Sequence, residues 1–361
     1  MEGAPLGQLQ KGSHMSAGNP LRDFRVERSS IRMIGHDLRR PECILAEPNG
    51  TLWSADARGG IMRIDPDGSQ QLIAQQVADG ASAKAKDIEQ YLLQGSLPNG
   101  LAFDRNGDLL IANFGTNAIE RMTRTGQSST MLTEIDGVSL GKTNFVLRDS
   151  QNRIWLTVTT RLEPWTRCVT ERAADGYVAL QDDRGLRIVA DGFVGTNEIR
   201  LDAREEWLYV VETNARRISR LRVQANGSLM NREIYGPSDL GGTPDGFAFD
   251  AHGNLWVTLV MYDRLVAILP EGDLITVLDD GNPEEVRELD RHYVARTLDE
   301  QVMRSIKGGT LAPWMASITF GGADLRSVYL GSLMGTSLPS FRSPVPGLPM
   351  VHWQERLAAT R

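Results

Sequence analysis

The chain has 361 residues, a formal net charge of −7 and 36 glycines. Hydrophobic residues make up 41% and charged residues 24% of it, which is typical of a folded globular protein rather than a disordered one. The acidic balance argues against non-specific binding to nucleic acid or anionic membranes. No apolar run reaches the ~18 residues of a membrane span. The many glycines predict tight turns, as all-β folds require.

The N-terminal residues contain no apolar core of a signal peptide, and the motif Gly12-Ser13-His14-Met15 resembles the remnant of an expression tag. We therefore interpret residues 1–14 as tag-derived. Cys43 and Cys168 lie far apart in the sequence and fit no metal-binding spacing, so they are predicted to be reduced thiols. Together these features predict a cytoplasmic protein.

A repeated pattern organises the rest of the chain. An apolar strand ends in an acidic residue or Gly, a turn of four to six residues follows, and a second apolar strand has an aromatic residue or Leu near its start. The repeats are Cys43–Asp56, Gly100–Asn113, Phe145–Val158, Glu198–Thr213, Gly246–Val260 and Ser317–Ser332. Their equivalent aromatic or Leu positions are Trp53, Leu110, Trp155, Tyr209, Trp256 and Tyr329. The shortest spacings, 45 residues from Leu110 to Trp155 and 47 from Tyr209 to Trp256, match one four-stranded propeller blade.

Six such units predict an all-β fold, a six-bladed β-propeller forming a single domain over residues 15–361. Radial stacking buries both faces of each sheet, whereas separate sandwiches would need linkers that the sequence lacks. Blade six is short of strands, and either the N-terminal segment 24–36 or the C-terminal tail completes it. Asn282-Pro283 and Gly308-Gly309 bracket an inserted helix between blades five and six. A weaker helical pattern covers residues 81–94.

The residue just before each innermost strand is predicted to face one mouth of the central channel. Counting back eleven or twelve residues from the equivalent aromatic positions gives oxygen donors in five blades and Ile318 in blade six. The donors are Glu42, Asn99, Asn144, Asn197 and Asp245. Such a ring suits a hard cation such as Ca²⁺, and no group of His and Cys favours a softer metal, although Zn²⁺ or Mn²⁺ are possible substitutes. The alternative is that pairs such as Asn99-Gly100 are ordinary turn residues.

Several motifs resemble the family of senescence marker protein (regucalcin), gluconolactonase and luciferin-regenerating enzyme over nearly all of Arg40 to Trp353. They are Pro41-Glu42, Thr143-Asn144, Thr196-Asn197 with WLYVVET, Thr243-Pro244-Asp245-Gly246 with NLWVT, and FGGADLRSVYLGS. The resemblance implies a six-bladed propeller whose metal is held by Glu42, Asn144, Asn197 and Asp245, with Asp245 also the general base. Lys142 departs from the family, which often has Arg there. Asn99 is not one of the usual ligands, and we assign it to the substrate or to the support of a ligand.

These residues predict a metal-dependent hydrolase of a lactone or related cyclic ester, in which Glu42 and Asp245 balance the charge of a dication. The predicted contacts of the small-molecule substrate are Asn99, Lys142, Arg161, Trp165 and Tyr262, with the insertion 163–175 as the specificity loop. No histidine occupies a channel-mouth position, which disfavours a Ser-His-Asp triad. Two alternatives stay open: another metal-dependent reaction at the same site, such as organophosphate ester hydrolysis, and a non-catalytic Ca²⁺-binding propeller. The sequence specifies neither the lactone nor the oligomeric state.

Overall fold

The fold is a six-bladed β-propeller, as the repeats predict. The computed structural model describes residues 18–77 and 97–355. Six antiparallel sheets follow one another along the chain, and the innermost strand of each sheet contacts the innermost strands of its two neighbours, which closes the ring. The tag-like residues 1–14 and the predicted helical stretch 81–94 lie outside the described residues.

The strands are numbered in chain order, and each blade begins with its innermost strand. Blade one contains β2 (Ile44–Ala46), β3 (Leu52–Asp56), β4 (Gly60–Ile64) and β5 (Gln70–Ala74). Blade two contains β7 (Pro98–Phe103), β8 (Leu109–Asn113), β9 (Ala118–Met122) and β10 (Gln127–Leu132), and the short β6 (Gln76–Val77) adds to its outer edge in parallel. Blade three contains β13 (Thr143–Arg148), β14 (Ile154–Val158), β15 (Gly176–Asp182) and β16 (Gly185–Phe193), after a small hairpin of β11 (Glu134–Ile135) and β12 (Val138–Ser139).

The remaining blades follow the same plan. Blade four contains β17 (Thr196–Leu201), β18 (Trp207–Glu212), β19 (Arg217–Val223) and β20 (Leu229–Tyr235). Blade five contains β21 (Thr243–Phe249), β22 (Leu255–Val260), β23 (Arg264–Ile268) and β24 (Leu274–Asp279). Blade six contains β25 (Met315–Gly321), β26 (Ser327–Ser332) and β27 (Leu338–Arg342), and its fourth strand is β1 (Arg32–Ile34).

Blade six is therefore completed by the N-terminal segment, one of the two predicted possibilities. Arg32 pairs with Ser340 and Ile34 with Leu338 in antiparallel register. The strand that closes the ring thus comes from the opposite end of the chain, and it ties the first and last blades together.

The recurring pattern of an acidic residue followed by an aromatic residue in the repeats has a packing cause. In three blades the buried indole of the second strand donates a hydrogen bond to the acidic residue that ends the first strand. The pairs are Trp53 Nε1 to Glu47 Oε2 at 2.6 Å, Trp155 Nε1 to Asp149 Oδ2 at 2.9 Å and Trp256 Nε1 to Asp250 Oδ2 at 2.9 Å. A fully buried indole needs such a partner, so the acid and the aromatic residue recur together.

Neighbouring inner strands approach closely where a glycine lacks a side chain. A Cβ atom at Gly100 would lie 2.6 Å from the Cα atom of Phe145 in the next blade, which is well inside van der Waals contact. At Gly246 the same atom would lie 2.6 Å from the carbonyl oxygen of Ala316. These glycines therefore set the spacing of the blades around the channel.

The insertion between blades five and six contains two helices rather than the single one predicted. Helix α2 (Pro283–Ala295) begins as expected, because the Asn282 side chain accepts hydrogen bonds from the first free N–H groups of the helix. It ends at Arg296, whose φ of +58° is left-handed, and Asp299 then caps α3 (Glu300–Ser305). A short α1 (Arg167–Glu171) lies in the predicted specificity loop. None of the helices in the described part of the chain has the length and apolar character of a membrane span.

Candidate functional site

Strand pairing places one oxygen donor at the same position in five blades. The residues paired with the equivalent aromatic or Leu positions are Leu45, Ala102, Leu147, Arg200 and Ala248. Three residues before them stand the predicted donors Glu42, Asn99, Asn144, Asn197 and Asp245. In four of these strands the register shifts at the donor, and such bulges turn a side chain out of the regular pleat.

The predicted position in blade six needs correction. Thr319 pairs with Tyr329, so the equivalent position is Ala316 and not Ile318. Thirteen residues separate Ala316 from Tyr329, against eleven between Glu42 and Trp53, because the hairpin turn of blade six is longer. A count of eleven residues back from Tyr329 therefore stops at Ile318, two residues short of the equivalent position. Neither Ile318 nor Ala316 supplies a side-chain oxygen.

The five donors line one cavity of about 120 Å³ at a mouth of the channel. Trp165, also predicted to lie at the site, lines the same cavity, as do Phe114 and Met261. The side chains of all five donors are buried, and the exposed fraction of Asp245 is 4%. The structure thus brings together residues from five sequence-distant hairpins.

Arg40 is the main residue of the site that the sequence analysis missed. Its side chain is buried, lines the cavity and places Nη1 2.7 Å from Glu42 Oε2, while Nη2 donates to Asn99 Oδ1 at 2.7 Å. Asn99 Nδ2 donates in turn to the carbonyl oxygen of Asn144 at 3.0 Å. Both ends of the Asn99 amide are therefore engaged within the protein, which favours a supporting role over direct substrate contact. Its position two residues before Glu42 is the signal that could have identified Arg40 from the sequence.

Two ligand-type oxygens are buried without a hydrogen bond. Within the described residues, neither Asn144 Oδ1 nor Asn197 Oδ1 has a partner. Glu42 Oε2 also accepts no well-directed hydrogen bond, although Arg40 is close. Asn197 is oriented from its other end, because Nδ2 donates to Thr213 Oγ1 at 3.1 Å. Buried polar atoms without partners are rare and call for an explanation such as an ion.

The electrostatics of the site indicate too little positive charge. Burial, followed by repulsion from Glu42 and Glu198, raises the pKa of Asp245 well above its usual value. Burial also raises the pKa of Glu42, despite the attraction of Arg40. Glu198 adds a third carboxylate, whose pKa burial raises to about 7 even though Arg200 Nη2 lies 2.8 Å from Glu198 Oε2. Three carboxylates thus face two guanidinium groups, an arrangement that a cation would stabilise.

The helical insertion and the specificity loop form the walls above the donors. Trp165 and Cys168 come from the loop of α1, and the ring of Trp165 meets that of Phe114 edge to face at 5.3 Å between centroids. Tyr293 of α2 and Met303 of α3 also line the cavity. The predicted specificity loop is therefore at the cavity, and so is the inserted helical segment.

Three predicted substrate contacts, Tyr262, Arg161 and Lys142, do not line the cavity. Tyr262 is buried beneath the insertion, where its hydroxyl donates to Asp290 Oδ1 at 2.9 Å and contacts Arg216. The exposed Arg161 packs on the ring of Tyr177, with its Cζ atom 4.6 Å from the centroid. Neither residue lines the cavity, because each is held by a partner that lies elsewhere along the chain.

Lys142 also lies outside the cavity wall, one side chain away from it. Its Nζ atom is 5.6 Å from the ring centroid of Phe114, which does line the cavity. Burial lowers the pKa of Lys142. The cysteines are both free, as predicted, and both are buried; Cys168 lines the cavity, and burial raises the pKa of its thiol to about 12.

Residues 130–281 match the family model described as the SMP-30/gluconolactonase/LRE-like region. That range contains Asn144, Asn197 and Asp245, so the resemblance inferred from the motifs is confirmed there. A search of curated proteins gives no match.

Solved structures of similar shape extend the likeness to the whole propeller. A luciferin-regenerating enzyme is 14% identical, with a TM-score of 0.63 and coverage of 89% of this chain and 98% of its own. A calcium-binding regucalcin from Agrobacterium tumefaciens is 14% identical, with a TM-score of 0.61 and coverage of 87% and 95%. A gluconolactonase from Xanthomonas campestris is 19% identical, with a TM-score of 0.58 and coverage of 86% and 88%. Identities this low establish the shared fold alone.

Proposed function

We propose that this propeller, whose residues 130–281 form an SMP-30/gluconolactonase/LRE-like region, is a metal-dependent hydrolase of a lactone or related cyclic ester. The observation that carries the proposal is the pair of unpartnered buried oxygens, Asn144 Oδ1 and Asn197 Oδ1, in one cavity with the carboxylates of Glu42 and Asp245. A cation would satisfy the oxygens and the excess negative charge together.

The residues fit a hard divalent cation. Within the described chain, no three His, Cys, Asp or Glu side chains group closely enough to hold a metal by themselves, so the asparagine oxygens are essential to the donor set. Carboxylate and amide oxygens are the ligands that Ca²⁺ takes. Ca²⁺ is accordingly the predicted metal, with Zn²⁺ or Mn²⁺ as substitutes.

When bound, the metal would act as a Lewis acid on the carbonyl oxygen of the ester. Asp245 would then take a proton from the attacking water, whose oxygen bonds to the carbonyl carbon. As the ring C–O bond breaks, the same carboxyl returns the proton to the leaving oxygen, so that lactone and water give a hydroxy acid. Direct attack by Asp245 on the carbonyl carbon is the alternative first step. Both routes need the Asp245 carboxyl group at the substrate, and this buried group lines the cavity.

Two further residues would position this machinery. Arg40 holds Glu42 and Asn99 at once, so it fixes the direction of the Glu42 carboxylate. Thr213 fixes the Asn197 amide, since it accepts from Nδ2 and donates to the carbonyl oxygen of Pro244 at 2.7 Å. These contacts hold two of the donors in place before any ligand binds, and preorganisation of this kind supports catalysis.

The test is a substrate screen of Ca²⁺-loaded and chelated protein against lactones and one phosphotriester, together with calorimetric Ca²⁺ titration. Metal-dependent opening of a lactone ring supports the proposal, and Asp245→Asn should then reduce turnover to near background without loss of the fold. Tight Ca²⁺ binding without any turnover would instead identify a non-catalytic platform. Turnover of the phosphotriester alone would identify the other metal-dependent reaction.

A further inference from the structure

The cavity walls above the donors are mostly apolar. Four elements supply aromatic or aliphatic side chains to them, among which are Phe114, Trp165, Met261, Tyr293, Leu298 and Met303. A surface of this kind stabilises hydrocarbon by removing it from water. It offers no compensation to a hydroxyl group that loses its hydration.

The polar side chains of the wall already use their hydrogens within the protein. Thr159 Oγ1 donates to the carbonyl oxygen of Thr196 at 2.8 Å, and Thr243 Oγ1 donates to that of Val260 at 2.6 Å. Asn214 Nδ2 donates to the carbonyl oxygen of Cys168 at 3.2 Å. Thr213 and Asn99 are engaged as described above, so most of the polar side chains of the wall already have partners within the protein.

Two buried donors of cavity-lining residues have no hydrogen-bond partner. Among the described residues, Trp165 Nε1 and Arg40 Nε are buried without a hydrogen-bond partner. Arg40 belongs to the oxygen cluster, where its charge is already committed to Glu42. Trp165 lies in the apolar wall, so a substrate acceptor that reached its indole N–H would give this buried donor a partner.

The size of the cavity favours a small substrate. Its volume of about 120 Å³ lies below the roughly 300–1,000 Å³ of pockets that bind drug-sized ligands.

We infer, on the basis of the proposed function, that the substrate is a small lactone whose body is hydrocarbon or aromatic rather than polyhydroxylated. Its ring carbonyl would lie at the oxygen donors, where the proposed cation would bind. A second acceptor atom of the substrate would take the hydrogen bond of Trp165 Nε1. The apolar walls then select against sugar lactones, since each unpartnered hydroxyl lowers affinity by about tenfold or more.

The experiment compares three lactones of similar size on the Ca²⁺-loaded protein: δ-nonalactone, dihydrocoumarin and D-glucono-δ-lactone. The two apolar lactones should exceed gluconolactone in kcat/KM by at least about 100-fold, because several hydroxyls would lose their partners. Binding of δ-nonalactam, which resists hydrolysis, is measured separately by calorimetry beside the lactam of gluconic acid. This second readout does not depend on turnover.

Trp165→Phe tests the proposed donor while keeping an aromatic wall. The variant should lower kcat/KM for δ-nonalactone, whose ring oxygen is the second acceptor, by about tenfold, as expected for loss of one buried hydrogen bond, with an unchanged dissociation constant for Ca²⁺. Trp207→Phe is the matched control, because Trp207 packs beneath Arg220 and Arg222 in blade four, away from the cavity.

The outcomes separate the two proposals. Turnover of gluconolactone at or above the rate of the apolar lactones would overturn the substrate inference and leave the lactonase intact. Binding of the apolar lactam without turnover of any lactone would support the inferred ligand class and refute the hydrolase. Failure of the apolar lactam to bind metal-loaded protein would refute the inference directly.

Discussion

The proposed metal site should destabilise the protein when no metal is bound. Asp245 and Glu42 line the same cavity, and burial together with their mutual repulsion opposes ionisation of Asp245. Replacing this carboxyl group by an amide of the same shape, Asp245→Asn, removes a group whose ionised form is opposed by burial and by repulsion from Glu42 and Glu198. We therefore expect the metal-free variant to be more stable than the wild type.

The magnitude follows from Coulomb's law. Two like charges taken as about 6 Å apart repel by about 3 kcal/mol at an effective dielectric constant of about 20. The Asn197 amide, which favours the ionised form of Asp245 through a hydrogen bond, offsets part of this gain, by about 1–2 kcal/mol. The expected net gain is about 1–2 kcal/mol, or a rise of a few degrees in Tm. Asn144→Asp is the matched opposite change, because it adds a carboxylate at an equivalent ring position and should lower Tm in the metal-free protein.

The assay is thermal unfolding at pH 8 in chelator and in excess Ca²⁺. In chelator the order of Tm should be Asp245→Asn, wild type, Asn144→Asp, from highest to lowest. Excess Ca²⁺ should raise the Tm of the wild type and of Asn144→Asp, and leave Asp245→Asn nearly unchanged, since a bound ligand stabilises only the form that binds it. A fall in Tm for metal-free Asp245→Asn would refute the reasoning, because the carboxylate would then be a satisfied structural group.

Three further predictions concern the fold and the support of the site. Gly100→Ala should destabilise the protein by about 2 kcal/mol or more in urea unfolding, because the added methyl group meets the backbone of Phe145 in the next blade. Arg40→Met should lower the Tm of the metal-free protein by leaving Glu42 buried without its ion pair, and Ca²⁺ should restore most of the loss; no difference between chelator and Ca²⁺ would contradict this. Burial lowers the pKa of His352 from 6.5 to about 4, so the unfolded state binds the proton more readily than the folded state. The free energy of unfolding should therefore fall by up to about 3 kcal/mol as the pH is lowered from 6.5 to 4. His352→Phe should flatten that pH dependence in urea titrations. Matched exposed controls are Gly68→Asn, Arg291→Met and His252→Phe.

The blades could be predicted from the sequence because their signals are local. An acid at the end of one strand and an aromatic residue in the next are joined by one hydrogen bond, as in Asp149 and Trp155. The oxygen donor of a blade lies at a nearly constant distance before the aromatic residue of the same hairpin, so Asn144 could be located by counting back from Trp155. The count was wrong only where the turn length changed, in blade six.

The cavity wall could not be predicted in the same way, because its side chains are placed by distant partners. Tyr262 follows the second strand of its blade and was expected near the substrate, yet Asp290 of the inserted helix holds its hydroxyl away. The break between α2 and α3 depends on Arg296, which carries no glycine-like signal for a left-handed conformation. Asp299 before α3 was a readable capping signal.

The choice of donors explains how a propeller can form this site before any metal binds. Five carboxylates around one small cavity would repel too strongly to be buried together. Three of the ring positions instead carry Asn, which supplies an oxygen without a charge, and Arg40 compensates Glu42 from two residues away. The sixth position is Ala316, so the side of the ring that belongs to blade six contributes no donor. Because Arg40 already engages Asn99 Oδ1, the proposed metal would take its ligands from four blades only, which would leave room for a substrate carbonyl and for water.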